Sequence, residues 1–123
     1  MSFYSFEDMN VWKLAMETAE RVFHLTAKLP RYEDYGLTSQ IRRAALSISA
    51  NIAEDYGTRT SLDKKRFYII ARGSIFETKR HLFYRKNVNY FDQSEVVAIH
   101  ELVDKNVLEL NKLIISLHPQ PES

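Results

Sequence analysis

The chain contains no cysteine. Disulfides, thiolate metal ligands and a cysteine nucleophile are therefore excluded, and the composition suits a reducing cytosol. Glycine and proline are also scarce, at three residues each, and the isolated glycines cannot build a phosphate-cradling loop. No apolar run approaches the ~20 residues needed to cross a bilayer, and the opening MSFYSFEDMN lacks the basic-then-apolar order of a secretory signal. A soluble, cytoplasmic protein without a membrane partner is expected. Charge of one sign is missing as well: the net charge of +1 gives no overall attraction to nucleic acid or membrane. What remains, 45% hydrophobic and 27% charged residues in 123, is the composition of one compact domain spanning the whole chain.

Five of the six glycines and prolines, namely Pro30, Gly36, Gly57, Pro119 and Pro121, fall where hydrophobic periodicity breaks. They leave four helical segments, at about 8–28, 38–56, 61–87 and 93–117. Apolar faces run through Val11, Ala15, Ala19, Val22 and Phe23, then through Ile41, Ala44, Ala45, Ile48 and Ile52. The third segment carries Phe67, Ala71, Ile75, Thr78 and Leu82, and the fourth Val96, Ile99, Val103, Val107, Leu110, Ile114 and Leu117. Ser61 is placed to cap the third helix, Asp92-x-x-Glu95 reads as a capping box for the fourth, and Gly57 suits a left-handed cap after the second. Gly73, inside the third helix, costs ~1 kcal/mol relative to alanine, which close approach of a neighbouring helix would offset. No segment alternates in the manner of a strand. With short connections, the expectation is an all-α, antiparallel up-and-down four-helix bundle.

No nucleophile elbow or zinc-protease helix is present. Glu20-x-x-x-His24 and Glu77-x-x-x-His81 put carboxylate and imidazole on shared helix faces. Metal-binding bundles, however, use glutamate and histidine three apart with further glutamates from two other helices, and His100 and His118 add no cluster. No catalytic residue, metal or cofactor is expected. Gln40, Arg43, Ser47, Asn51 and Glu54 form a polar stripe beside the apolar face of the second helix, facing Ser74 and Glu77 of the third if the two are neighbours. A structural network that fixes helix register, with Glu77 paired to Arg43, is the preferred reading, because part-buried polar groups need partners in any bundle.

Two patterns point to partners. From Arg59 to Lys86 there are nine basic residues (Arg59, Lys64, Lys65, Arg66, Arg72, Lys79, Arg80, Arg85 and Lys86) against two acidic ones, Asp63 and Glu77, and Arg42 adds to them. Such a concentration is what binding to a phosphate backbone requires, and Tyr68 or Tyr84, if exposed, could stack bases. Separately, Leu62, Ile69, Phe76 and Phe83 repeat every seven residues on the side of the third helix away from its core stripe, and Val97, Leu108 and Ile115 project about 120–140° away from the core stripe of the fourth. Aligned apolar rows that one core cannot hold predict self-association. The expected function is non-enzymatic binding of RNA or DNA by a homo-oligomer, the alternative being a scaffold that binds only protein.

The residues also carry a resemblance. Leu29-Pro30-x-x-Glu33-x-x-Gly36-Leu37-x-x-Gln40-Ile41-Arg42-Arg43-Ala44-Ala45-x-Ser47-Ile48, followed by Asn51-Ile52-Ala53-Glu54, resembles the four-helix-bundle proteins encoded by intervening sequences in bacterial large-subunit ribosomal RNA genes. Phe67-x-x-Ile70-Ala71-x-Gly73-Ser74-x-x-Glu77 and Phe6-x-x-Met9-x-Val11-Trp12 fit the same family. The resemblance implies a bundle assembling into a ring-like homopentamer, a related branch serving diversity-generating retroelements as an accessory protein, and nucleic-acid interaction as the usual proposal. The chain departs from the family in having Asp55, where glycine is usual, with Gly57 two positions later.

Overall fold

The computed structural model describes residues 5–57 and 60–117. Among these, four α-helices and no strands are found: α1 (Asn10–Thr26), α2 (Leu37–Tyr56), α3 (Ser61–Asn87) and α4 (Gln93–Ser116). Single 3-10 turns at Phe6–Asp8 and Arg31–Glu33 precede α1 and α2. α1 packs on α2 and α4, and α3 packs on the same two, so each helix has two neighbours around one core.

The ends of the helices follow from local chemistry. α4 opens with the anticipated capping box, in which Asp92 Oδ1 accepts from the Glu95 amide at 2.9 Å and Glu95 Oε1 accepts from the Asp92 amide at 3.0 Å. The amide of Glu95, then the Ser94 hydroxyl, hold the Asp92 carboxyl below its ordinary range. α3 is capped by Thr60 rather than Ser61, through an Oγ1 that accepts from the Asp63 amide at 3.1 Å. α1 stops at Thr26, short of the expected end, with the Thr26 hydroxyl bonded back to the Val22 carbonyl at 2.8 Å. Thr18 does the same to Leu14 at 2.9 Å, which lets both threonines sit buried in an otherwise apolar face. Phe6 packs edge-on against Trp12 and Tyr56, with ring centres 5.3 and 6.3 Å apart, and so ties the N-terminal turn to α1 and α2.

The core is built from the expected stripes, with Val22, Ile48, Ile52, Ile75, Leu82 and Leu110 fully buried. Four expectations need correction. Phe23 is 54% exposed, because Thr26 and Val22 take the inward positions of that turn. Tyr68, rather than its neighbour Phe67, is buried in α3. Gly57 has no left-handed backbone; the positive φ among the described residues belongs to Asn89, at 67°, in the turn before α4. Gly73 lies exposed on α3 with nothing within 4 Å of where its Cβ would stand, so no helix of the same chain approaches it. No helix among the described residues is long and apolar enough to cross a membrane.

Candidate nucleic-acid interface

The basic segment divides into cations with different surroundings. On the side towards α4, Arg72 donates to Asn111 Oδ1 at 2.7 Å, Lys79 pairs with Asp104 Oδ1 at 2.8 Å and Lys86 donates to Gln93 Oε1 at 3.0 Å. Arg42 turns the other way, towards α1. It donates to Thr26 Oγ1 at 2.8 Å and to the Phe23 carbonyl at 3.3 Å, with its guanidinium 4.5 Å from the centre of the Phe23 ring. Lys64 and Lys65 are half-buried near the start of α3. Arg59 lies outside the described residues.

Arg85 leaves the surface set altogether. Its side chain is completely buried, and the guanidinium donates to the carbonyl of Leu37 and, at 2.9 Å, to that of His81. A contact of 3.2 Å to His81 Nδ1 adds to these, and since arginine has no acceptor the imidazole nitrogen must accept; the buried Nε of Arg85 has no hydrogen-bond partner among the described residues. Burial pushes the Arg85 pKa down, against the nearby Glu33 carboxylate. Arg85 therefore clamps the C-terminal end of α3 to the start of α2. A phosphate could not reach it without breaking that clamp.

Two arginines of a different kind stand across the junction of α2 and α3. Arg43 and Arg80 are exposed and line a groove of about 570 Å³ with Gln40, Ser47, Glu77 and His81. Among the described residues no hydrogen bond or ion pair holds either guanidinium, including the expected pair between Arg43 and Glu77. Glu77 is itself exposed and lies 3.4 Å from His81 Nε2 on its own helix. At i and i+4, Glu77 and His81 share a face, whereas the expected Arg43–Glu77 pair would have to span the groove. Burial, followed by the adjacent Arg85 charge, lowers the His81 pKa, with Glu77 opposing.

At Ser47, which lines the groove, one polar contact crosses from α3 to α2 and another stays within α2. Buried Ser74 donates to Ser47 Oγ at 2.9 Å, and Asn51 Nδ2 donates to the carbonyl and hydroxyl of Ser47 at 2.8 and 3.0 Å. Gln40 and Glu54, expected in that network, are exposed, and neither takes part in these contacts. The groove continues past Gln40 and Arg80 into a segment of about 410 Å³ lined by Leu37, His81 and Tyr84, and bordered by Arg85, whose side chain is closed off from solvent. Tyr84 is 52% exposed, whereas Tyr68, the other tyrosine considered for stacking, is buried. Residues 77, 80, 81 and 84 form one i, i+3, i+4, i+7 face, a spacing that could have marked His81 and Tyr84 as partners of Glu77 and Arg80.

The apolar rows are also in the open. Leu62, Ile69, Phe76 and Phe83 on α3, and Val97, Leu108 and Ile115 on α4, are all exposed. Phe83 lies over His100 of α4, with ring centres 4.4 Å apart. A further groove between α1 and α2, about 370 Å³, is lined by Glu20 and His24 with Phe23, Arg42 and Leu46, so the two glutamate–histidine pairs occupy different grooves. Among the described residues no three histidine, aspartate or glutamate side chains converge to hold a metal ion.

A four-helix, all-α chain with an open polar groove defines a class of small helical proteins. Residues 7–114 match the family of 23S rRNA-intervening sequence proteins, and the chain belongs to that family. Among curated proteins none matches the chain. A solved structure, that of a protein with unknown function from the S23 ribosomal protein family of Bacteroides thetaiotaomicron VPI-5482, is similar in fold, with a TM-score of 0.76 at 21% identity. The match covers 85% of this chain and 97% of that one.

Proposed function

We propose that the protein is a non-enzymatic, self-associating up-and-down bundle that binds RNA or DNA through the α2–α3 groove. One observation carries the binding reading: Arg43 and Arg80 line that concave surface with guanidiniums that no protein group occupies. The cations towards α4 already have partners, whereas the groove arginines are open to phosphates, as is the exposed Arg66 near the start of α3, whose guanidinium lies 5.3 Å from the centre of the Phe67 ring. Antiparallel order is supported by the cross-helix pairs, since residues 72, 79 and 86 of α3 meet 111, 104 and 93 of α4. Binding of mixed-sequence RNA and DNA, followed by fluorescence anisotropy as salt is raised, tests the proposal. Affinity should fall steeply, because each neutralised phosphate releases counterions at a slope of about 0.7–0.9 per contact. No binding to either pool at low salt would overturn it.

A protein partner is favoured by a separate observation, the exposed rows on α3 and α4, and a second copy of the chain is the occupant proposed. Gly73 supports this reading. It lies on the outward side of α3, where close approach could come only from another molecule. Light scattering should report a multimer, with five subunits suggested by the family resemblance, and Phe76→Glu should reduce the mass while helicity persists. A wild-type monomer at high micromolar concentration would exclude self-association.

A further inference from the structure

We infer that the α2–α3 groove takes a single strand of nucleic acid, with a base stacked on Tyr84 and flanking phosphates on Arg43 and Arg80. The inference rests on the nucleic-acid reading above and specifies the form of the ligand. Three features lead to it. First, the cations line a furrow between two packed helices, whose axes lie about 8–10 Å apart in such contacts. Reading a duplex calls for the opposite shape, a convex element that enters a major groove about 12 Å wide. Second, Tyr84 is half-exposed in the same furrow as Arg80 and Gln40, and among the described residues no other ring stacks on it. In a duplex the base faces are covered by their neighbours, so only an unpaired base can offer a face to a tyrosine inside a concavity.

Third, the length fits a short strand. Leu37 and Ser47 lie at the two ends of the groove on α2 and are separated by about 15 Å of helix at 1.5 Å per residue. At about 3.4 Å per stacked nucleotide, and more when extended, that distance holds roughly two to four nucleotides. The exposed Gln40 amide, with both donor and acceptor capacity, stands where it can meet the edge of a splayed base. None of these groups reads a unique sequence, so the site should tolerate many bases while requiring them to be unpaired.

The test compares single-stranded RNA, single-stranded DNA and the corresponding duplexes, of equal length and mixed sequence, at one fixed low salt concentration. Single strands should bind about five- to a hundredfold more tightly than duplexes, the range that stacking of one base supplies. Tyr84→Leu should weaken single-strand binding by about five- to a hundredfold and leave duplex binding unchanged, and Tyr84→Trp should restore it. Comparing the RNA and DNA strands tells which sugar the site prefers. Equal affinity for duplex and single strand, or a Tyr84→Leu variant that binds single strands as well as wild type, overturns the inference and leaves the nucleic-acid reading standing. Absence of binding to every probe overturns both. Because Tyr84 is half-exposed, an unchanged melting temperature should accompany each variant and separate lost binding from lost folding.

Discussion

The two sides of α3 use the same kind of residue to opposite ends. Towards α4, Arg72, Lys79 and Lys86 are each matched by a polar group, and together they make a polar ladder across the interface. Towards α2, Arg80 faces Arg43 over an open groove, and neither is matched. The contrast teaches that density of positive charge along a chain is not density of available charge. A cation already held by a carboxylate or amide gains less from a phosphate, because the partner must first be given up. Arg85 is the limiting case, a guanidinium wholly withdrawn into the fold.

The largest expected effect sharpens that limiting case. Arg85→Ala should lower stability by about 2–4 kcal/mol in urea denaturation, since it empties a buried site and leaves the Leu37 carbonyl without this donor. Arg85→Met, which fills the site with apolar volume, should cost less, as replacing a buried ion by a similar apolar volume removes its desolvation burden. Arg80→Ala, five residues away and exposed, should stay within about 0.5 kcal/mol of wild type. A surface-like response of Arg85→Ala would remove the clamp from the account of the fold.

The comparison of the two faces is broken or upheld by paired double variants. Arg43→Ala with Arg80→Ala should reduce the salt slope of nucleic-acid binding by about 1.4–1.8 and leave the melting temperature in place. Arg72→Ala with Lys79→Ala should leave the slope nearly unchanged and cost up to about 1 kcal/mol of stability, because their partners belong to the protein. The reverse pattern would transfer the binding surface to the α3–α4 side.

Gly73→Ala probes the outer edge of α3, where propensity and association oppose each other. As an isolated chain the variant should be stabilised by up to about 1 kcal/mol, because nothing crowds the added methyl group. If Gly73 admits a second copy, the same change should raise the dissociation constant of the assembly, read by sedimentation at several concentrations. Enhanced stability with undiminished association would place the contact elsewhere.

The smallest effect is on pH. Burial lowers the pKa of both His81 and His100 from the ordinary 6.5, so the unfolded chain binds protons more readily than the folded one. Stability should be fully present above about pH 6.5 and decline as pH falls through the lower folded values. His81→Gln should flatten part of this dependence, and His100→Gln a separate part. Beside the groove, protonated His81 would also repel Arg85, its neighbour at 3.2 Å. A melting temperature that is constant between pH 7 and 5 would contradict both assignments.

The sequence by itself determined the four helices and most of the core, because both depend on information that lies within a few residues. Apolar spacing, the Asp92 capping box and sparse glycine and proline act locally, and the tertiary structure moved α1's end to Thr26 and the α3 cap to Thr60, turned Phe23 outward, buried Tyr68 in place of Phe67 and gave Gly57 and Gly73 surroundings other than those expected. The sequence also grouped residues 40, 43, 47, 51, 54, 74 and 77 as a polar stripe beside an apolar one; of these, Gln40, Arg43, Ser47 and Glu77 line the α2–α3 groove and Glu54 does not. What only the tertiary structure decided was the partner of each long side chain. Arginine and lysine reach several ångströms from their backbone, so residues on one helix face can be buried, paired or free, depending on what the neighbouring helix offers. Arg85 and Arg80 illustrate it: both were basic residues of one segment in the sequence, but Leu37 and His81 drew the first inside, and the second was left at the groove.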